Sequence, residues 1–322
     1  MFETNLKIGF STMWVLFSAA FALAQNPTPT PDLETLLKNT NKQVWNYSNE
    51  FKNLLAEETK TFELFDGSGQ VKKRTVVESN FMIFQSLKDE NVSSEYRGVV
   101  KVDGKAVGDT QKRSTDLFEQ LAKAKSVKQE LEKIQNESLR YDKHLEINGL
   151  TLFQTPILSM DTREFVDFKF LGIENFNGAN VFVVEYRQAK PSPYIRIDEK
   201  GNNNVNALLS FSLDLPKPLD KSNVFLRGKL WIDAQTFQIR REERELVTNV
   251  SNNSTPIVVF RDEYDYQPSD FGILVPMRIV YSYFKVKSKD KGANISANLD
   301  TKATFEYRKF RKSRVEIKID DN

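Results

Sequence analysis

The chain has 322 residues, of which 39% are hydrophobic and 28% charged, and its 46 Lys and Arg against 44 Asp and Glu leave a net charge of +2. Such a balanced charge gives no bulk attraction for nucleic acid. There is no cysteine and one histidine, His144, so disulfides, thiol catalysis, cysteine-linked lipidation and Cys/His zinc sites are excluded, and any Ser-His-acid mechanism has a single candidate base.

Lys7 precedes an apolar run from Ile8 to Leu23, and Ala22-Leu23-Ala24 puts small residues at alternate positions. This predicts a signal peptide over residues 1–24, cleaved after Ala24, and hence a periplasmic or secreted protein. A retained anchor is the weaker reading: a spanning helix needs about 20 apolar residues, and Gly9, Ser11, Thr12 and Ser18 interrupt this shorter run. Residues 25–32, with Pro27, Pro29 and Pro31, read as an extended, solvated leader.

A helix then begins, with Thr30 as the expected N-cap and Pro31 at its first position. Leu33, Leu36, Leu37, Val44, Tyr47, Phe51 and Leu54 recur at helical spacing along one stripe. From Glu57 the period shifts to two, and Asp66-Gly67-Ser68-Gly69 marks the turn of a long hairpin returning from Lys72 to Leu87. Tyr96 to Val102 is a further strand ending at Asp103-Gly104. Between residues 112 and 143 the helical period returns, as one long helix or as a pair broken near Ser126. Leu150 to Met160 predicts a short buried segment broken at Pro156.

The second half alternates strand signals with Gly, Asn, Asp and Pro clusters. Strands are predicted over 165–173, 181–187, 224–232, 238–246, 257–266, 274–287 and 297–310, with an irregular insertion over 190–223. Their short connections favour an antiparallel meander. Residues 33–322 therefore read as one α+β domain: a strongly curved, mostly antiparallel sheet, a half barrel with amphipathic helices packed on its concave face.

The order of these elements resembles the LolA/LolB-like superfamily of exported bacterial half barrels, which carry or receive lipoproteins. The resemblance rests on the leading helix, the long hairpin and the helical insertion, followed by a meander carrying Gly228-Lys229-Leu230-Trp231-Ile232-Asp233 before a charged strand. Phe271-Gly272-Ile273-Leu274-Val275-Pro276 and the stretch from Phe305 to Arg314 fit the strands that complete such a sheet. It implies a fold and a kind of pocket. Receptor members are lipoproteins, which this cysteine-free chain departs from.

No motif carries a reaction. Gly-x-Ser-x-Gly and the Asp-x-Asp-x-Asp-Gly calcium loop are missing from the sequence, and Gly67-x-Gly69 is a turn. Glu57-Glu58, Glu242-Glu243 and Asp262-Glu263 are strand neighbours that point to opposite faces, so none is a glycosidase dyad. The run from Arg240 to Glu245 reads as cross-strand pairing on a solvated face. Two basic clusters, Lys285, Lys287, Lys289 and Lys291, then Arg308, Lys309, Arg311, Lys312 and Arg314, read as solvated edges that discourage strand addition.

The aromatic excess, 24 Phe and 10 Tyr, carries the functional expectation. Phe168, Phe170, Phe182, Tyr186, Phe260, Tyr264 and Tyr281 are spread over strands whose alternate residues share a face, and they are the candidate ligand-binding residues. The predicted protein is non-enzymatic, with no cofactor or metal, and binds a lipid, an acyl chain or a lipoprotein-like ligand. An envelope protein-interaction or assembly module is the alternative, and an envelope hydrolase ranks third.

Overall fold

The computed structural model describes residues 30–141, 150–193, 195–199, 209–213, 215–216, 219, 224–249, 256–289 and 294–312. The predicted signal peptide, residues 25–29 of the leader, and His144 lie outside the described residues. Helix α1 spans Leu33–Phe51. Its N-cap is Asp32 and not Thr30: the carboxylate accepts the Thr35 backbone N–H at 2.9 Å. Asp is at least as good a cap as Thr, and with the helix starting at Leu33 it is Asp32 that takes the extended cap conformation, leaving Pro31 before the helix.

β1 (Leu54–Phe65) and β2 (Val71–Gln85) form the long hairpin. Asp66 closes it by accepting the N–H groups of Ser68 and Gln70, and Gly69 takes a φ of +83°. β3 (Ser93–Val102) and the short edge strand β4 (Lys105–Ala106) follow. The helical insertion is a pair, α2 (Thr110–Ala122) and α3 (Val127–Ser138), with Ser126 capping the second. A 3-10 turn at Pro156–Leu158 and α4 (Met160–Arg163) lead into β5 (Val166–Phe176) and β6 (Ala179–Gln188).

Within the stretch predicted as irregular lie β7 (Ile195–Glu199) and β8 (Leu209–Leu213), a small parallel pair. β9 (Val224–Asp233), β10 (Ile239–Thr248), β11 (Ile257–Gln267), β12 (Val275–Lys289) and β13 (Asn294–Lys312) complete the chain. The main sheet has eleven antiparallel strands in the order β4-β3-β2-β1-β13-β12-β11-β10-β9-β6-β5. Its two edges do not pair with each other, so the fold is α+β with an open half barrel.

Helix α1 packs across the middle of the sheet. The Tyr47 and Phe51 rings stack at 5.0 Å; Phe51 lies 6.3 Å from Phe81 on β2, and Tyr47 lies 6.1 Å from Tyr266 on β11, four strands away in the sheet order. The α2–α3 pair takes the opposite face, where Phe84 and Tyr96 pack with Leu117, Leu121 and Ile134. Period-two alternation explains this: Met82 and Phe84 point away from the face that holds Phe81 and Ile83.

Gly228 on β9 is a packing requirement. A Cβ at this position would run into the Glu243 carbonyl oxygen and the Tyr186 ring, which crosses the strand there. Gly228→Ala is expected to cost about 3 kcal/mol or more. A lowered urea midpoint would report that loss, and an unchanged midpoint would contradict the packing.

Candidate functional site

Strand register determines which side chains share the concave face. From β11 to β5, one row reads Tyr264, Glu242, Leu230, Val184 and Phe170. The next reads Asp262, Arg244, Gly228, Tyr186 and Phe168. Tyr281 pairs with Asp262, Phe260 with Leu246 and Phe182 with Ile232. All seven predicted aromatic residues thus lie on the side covered by α1. Phe182, Tyr186 and Tyr264 are buried, whereas Phe168, Phe170, Phe260 and Tyr281 are partly buried around them.

The same rows carry charge. Glu242, Arg244 and Asp262 are all buried on this face. Arg244 donates to Glu242 Oε1 through Nε at 3.2 Å and Nη2 at 2.9 Å, and reaches Asp262 Oδ2 through Nη1 at 3.4 Å. The Tyr186 hydroxyl donates to Glu242 at 3.1 Å and the Tyr264 hydroxyl to Asp262 Oδ2 at 3.3 Å. Tyr264 and Tyr281 share a hydrogen bond at 3.1 Å. Asp262 Oδ1 has no hydrogen-bond partner in the structure.

This corrects the expectation of a wholly solvated charge run. Alternation splits the run between faces: on the outer side Arg241 pairs with Glu243, Glu263 and Asp265, and Glu245 pairs with Arg227 and Arg261. Glu242 and Arg244 turn inward, where Asp262 of the adjacent strand meets them. The signal was present in the sequence, since every second residue of a strand must face the sheet's other side.

Burial sets the electrostatics. It raises the Tyr186, Tyr264 and Tyr281 hydroxyls well above the ordinary tyrosine value. It also works against charge on Arg244, but Glu242 together with Tyr264, Tyr186 and Asp262 more than offsets it and raises the guanidinium well above its ordinary value. Asp262 is pushed from 3.8 up to about 7 by burial, with Arg244 opposing and Glu242 adding to the rise.

A second buried cluster ties the cover to the sheet. Arg97 donates to Glu58 at 2.8 Å and to Glu95 at 2.9 Å, with its guanidinium over the Phe81 and Phe305 rings. Glu95 Oε1 accepts the Thr151 N–H at 2.6 Å and hydroxyl at 2.7 Å, and the Tyr47 hydroxyl of α1 donates to the Thr151 carbonyl. Elsewhere, Lys285 and Lys287 line a cavity of about 190 Å³ with Asp66, Asn298 and Asp300 at the hairpin tips. Among the described residues no group of three His, Cys, Asp or Glu converges to hold a metal ion, and no helix is long and apolar enough to cross a membrane.

The folded value of Asp262 lies above the unfolded one, so the native chain binds an extra proton between about pH 4 and pH 7. The resulting stability is fully present below about pH 4 and is lost as the pH rises through about 7, a change of up to ~4 kcal/mol. Asp262→Asn is expected to abolish this fall. Urea titrations of both proteins from pH 4 to pH 8 check it; parallel curves would count against the shift.

No protein-family model and no curated protein matches the sequence. Among solved structures, the chain is similar to a DUF1329 family protein from Desulfovibrio piger, at 9% identity and a TM-score of 0.35, covering 88% of this chain and 95% of that one. A LolA superfamily protein from Nitrosomonas europaea matches at 8% identity and a TM-score of 0.33, covering 90% and 97%. The lipoprotein LppX from Mycobacterium tuberculosis matches at 8% identity and a TM-score of 0.26, covering 88% and 98%.

Proposed function

We propose that this is a non-enzymatic exported protein that binds a lipid or another acylated ligand on the concave face of its half barrel. The observation that carries the reading is a polar cluster, Glu242, Arg244 and Asp262, set among aromatic side chains of which four are only partly buried. Apolar replacements of a buried ion cluster are often neutral or stabilising, so packing alone gives little reason for one here. A ligand with an apolar tail and a polar end gives both parts a role. Phe168, Phe170, Phe182 and Phe260 hold the chain, while Tyr186, Tyr264 and Tyr281 frame the polar end beside Asp262 Oδ1. The predicted signal peptide supplies the address outside the cytoplasm.

A second reading draws on the sheet edge. β5 pairs on one side only, and Leu171 and Ile173 are exposed along it, which favours addition of a partner strand. A stable crosslinked partner with no co-purified lipid would support that reading.

Mass spectrometry of ligands released from the natively exported protein is expected to find an amphiphile. The double variant Phe168→Ala/Phe260→Ala is expected to retain about tenfold less of it, equivalent to ~1.4 kcal/mol, because both side chains are only partly buried against the core. Protein that carries no amphiphile and, once delipidated, takes up no fluorescent fatty acid would overturn the proposal.

A further inference from the structure

The concave face is covered by α1 and by residues 150–163, the strap that leads into β5, and the outer surface of this cover is unusual. The strap runs back along the helix: the Ser48 hydroxyl donates to the Leu152 carbonyl at 3.3 Å, Tyr47 donates to Thr151, and Arg163 pairs with Glu34 near the helix start. Trp45 on α1 is 63% exposed, Phe153 on the strap 55% and Met160 at the start of α4 89%. Trp45 lies one turn before Ser48, the residue that contacts the strap beside Phe153. Met160 lies three residues before Arg163, at the other end of the same layer.

Lys38, Lys42 and Trp45 are exposed at i, i+4 and i+7, so the helix presents two ammonium groups in line with its indole. Glu34 is paired with Arg163, and the exposed Asp161 and the N-cap carboxylate Asp32 each subtract one charge at the edge of the surface, away from Lys42 and Trp45 on the helix. We propose that the outer surface of α1 and the strap docks on an anionic lipid bilayer, with Trp45, Phe153 and Met160 entering the interface and Lys38 and Lys42 meeting its headgroups.

The shape of the patch selects this occupant. A protein partner needs a complementary surface of about 800 Å². Separate apolar knobs on a rounded helix and strap fit a bilayer interface, which yields around each one and needs no matching shape. Indole rings favour the headgroup level, and each lysine near an anionic surface adds attraction to its headgroups. Isolated exposed apolar residues are ordinary on soluble proteins; three on one layer beside two lysines are a patch.

This inference goes beyond ligand binding and is tested apart from it. Purified exported protein is expected to sediment with vesicles of equal parts phosphatidylglycerol and phosphatidylcholine, and to bind pure phosphatidylcholine vesicles at least tenfold more weakly. Trp45→Ser/Phe153→Ser/Met160→Ser should weaken binding at least tenfold with an unchanged thermal midpoint. Lys38→Glu/Lys42→Glu should weaken it several-fold and flatten its salt dependence. In a Trp231→Phe variant of the exported protein, Trp45 emission should shift to the blue on binding. Failure to bind the anionic vesicles, equal binding to neutral ones, or a triple variant that binds like the native chain would overturn the docking surface. Lipid uptake from detergent micelles reads the ligand proposal separately, so either can fail alone.

Discussion

The pairing of β1 with β13 holds the rest of the structure together. Ten residues from Leu54 to Leu64 find partners between Thr301 and Lys312, joining the first strand of the chain to its last. Without this ladder the N-terminal hairpin and the C-terminal meander would be separate sheets. Closing so long a loop costs less than its length suggests, because the entropy grows only logarithmically, about 0.6 kcal/mol per doubling. The return is large: Glu58 and Lys60 come beside Tyr307 and Phe305, and the concave face becomes continuous from β2 to β5.

That continuity places two buried arginine clusters on one surface. Arg97 is held between carboxylates and above two aromatic rings, and it anchors the strap and α1 through Glu95 and Thr151. Arg244 is held by Glu242 but meets Asp262 only at 3.4 Å, and Asp262 keeps an oxygen free. In the first cluster Glu95 is held by the Thr151 N–H and hydroxyl of the cover, which suits a structural fastening. The second is incomplete and lies under partly exposed aromatics, which suits contact with something the chain itself does not supply.

Local pattern is legible where one period dominates. The α1 stripe, the Asp66 turn and the meander strands follow from side-chain spacing and turn chemistry within a few residues, whereas spacing between residues 112 and 143 allows one helix or two and the structure has two. The N-cap moved by two residues because neighbouring Thr30 and Asp32 both offer capping oxygens, and only the helix phase chooses between them. The β7–β8 pair is not legible in the sequence because Ile195–Glu199 and Leu209–Leu213 are five residues each, within a stretch interrupted by Asn and Pro.

By itself the sequence determined the absence of cysteine chemistry, the helix and strand periods, the aromatic faces and the split of every charge run between two sides of a strand. Only the tertiary structure decided which strands are neighbours, and therefore which charges meet. Glu242 and Arg244 read as surface residues until β11 supplied Asp262 opposite them and α1 closed over that side. Alternation along a strand is a local property of the backbone, but whether a face is wet or buried depends on what packs against it from far away in the chain.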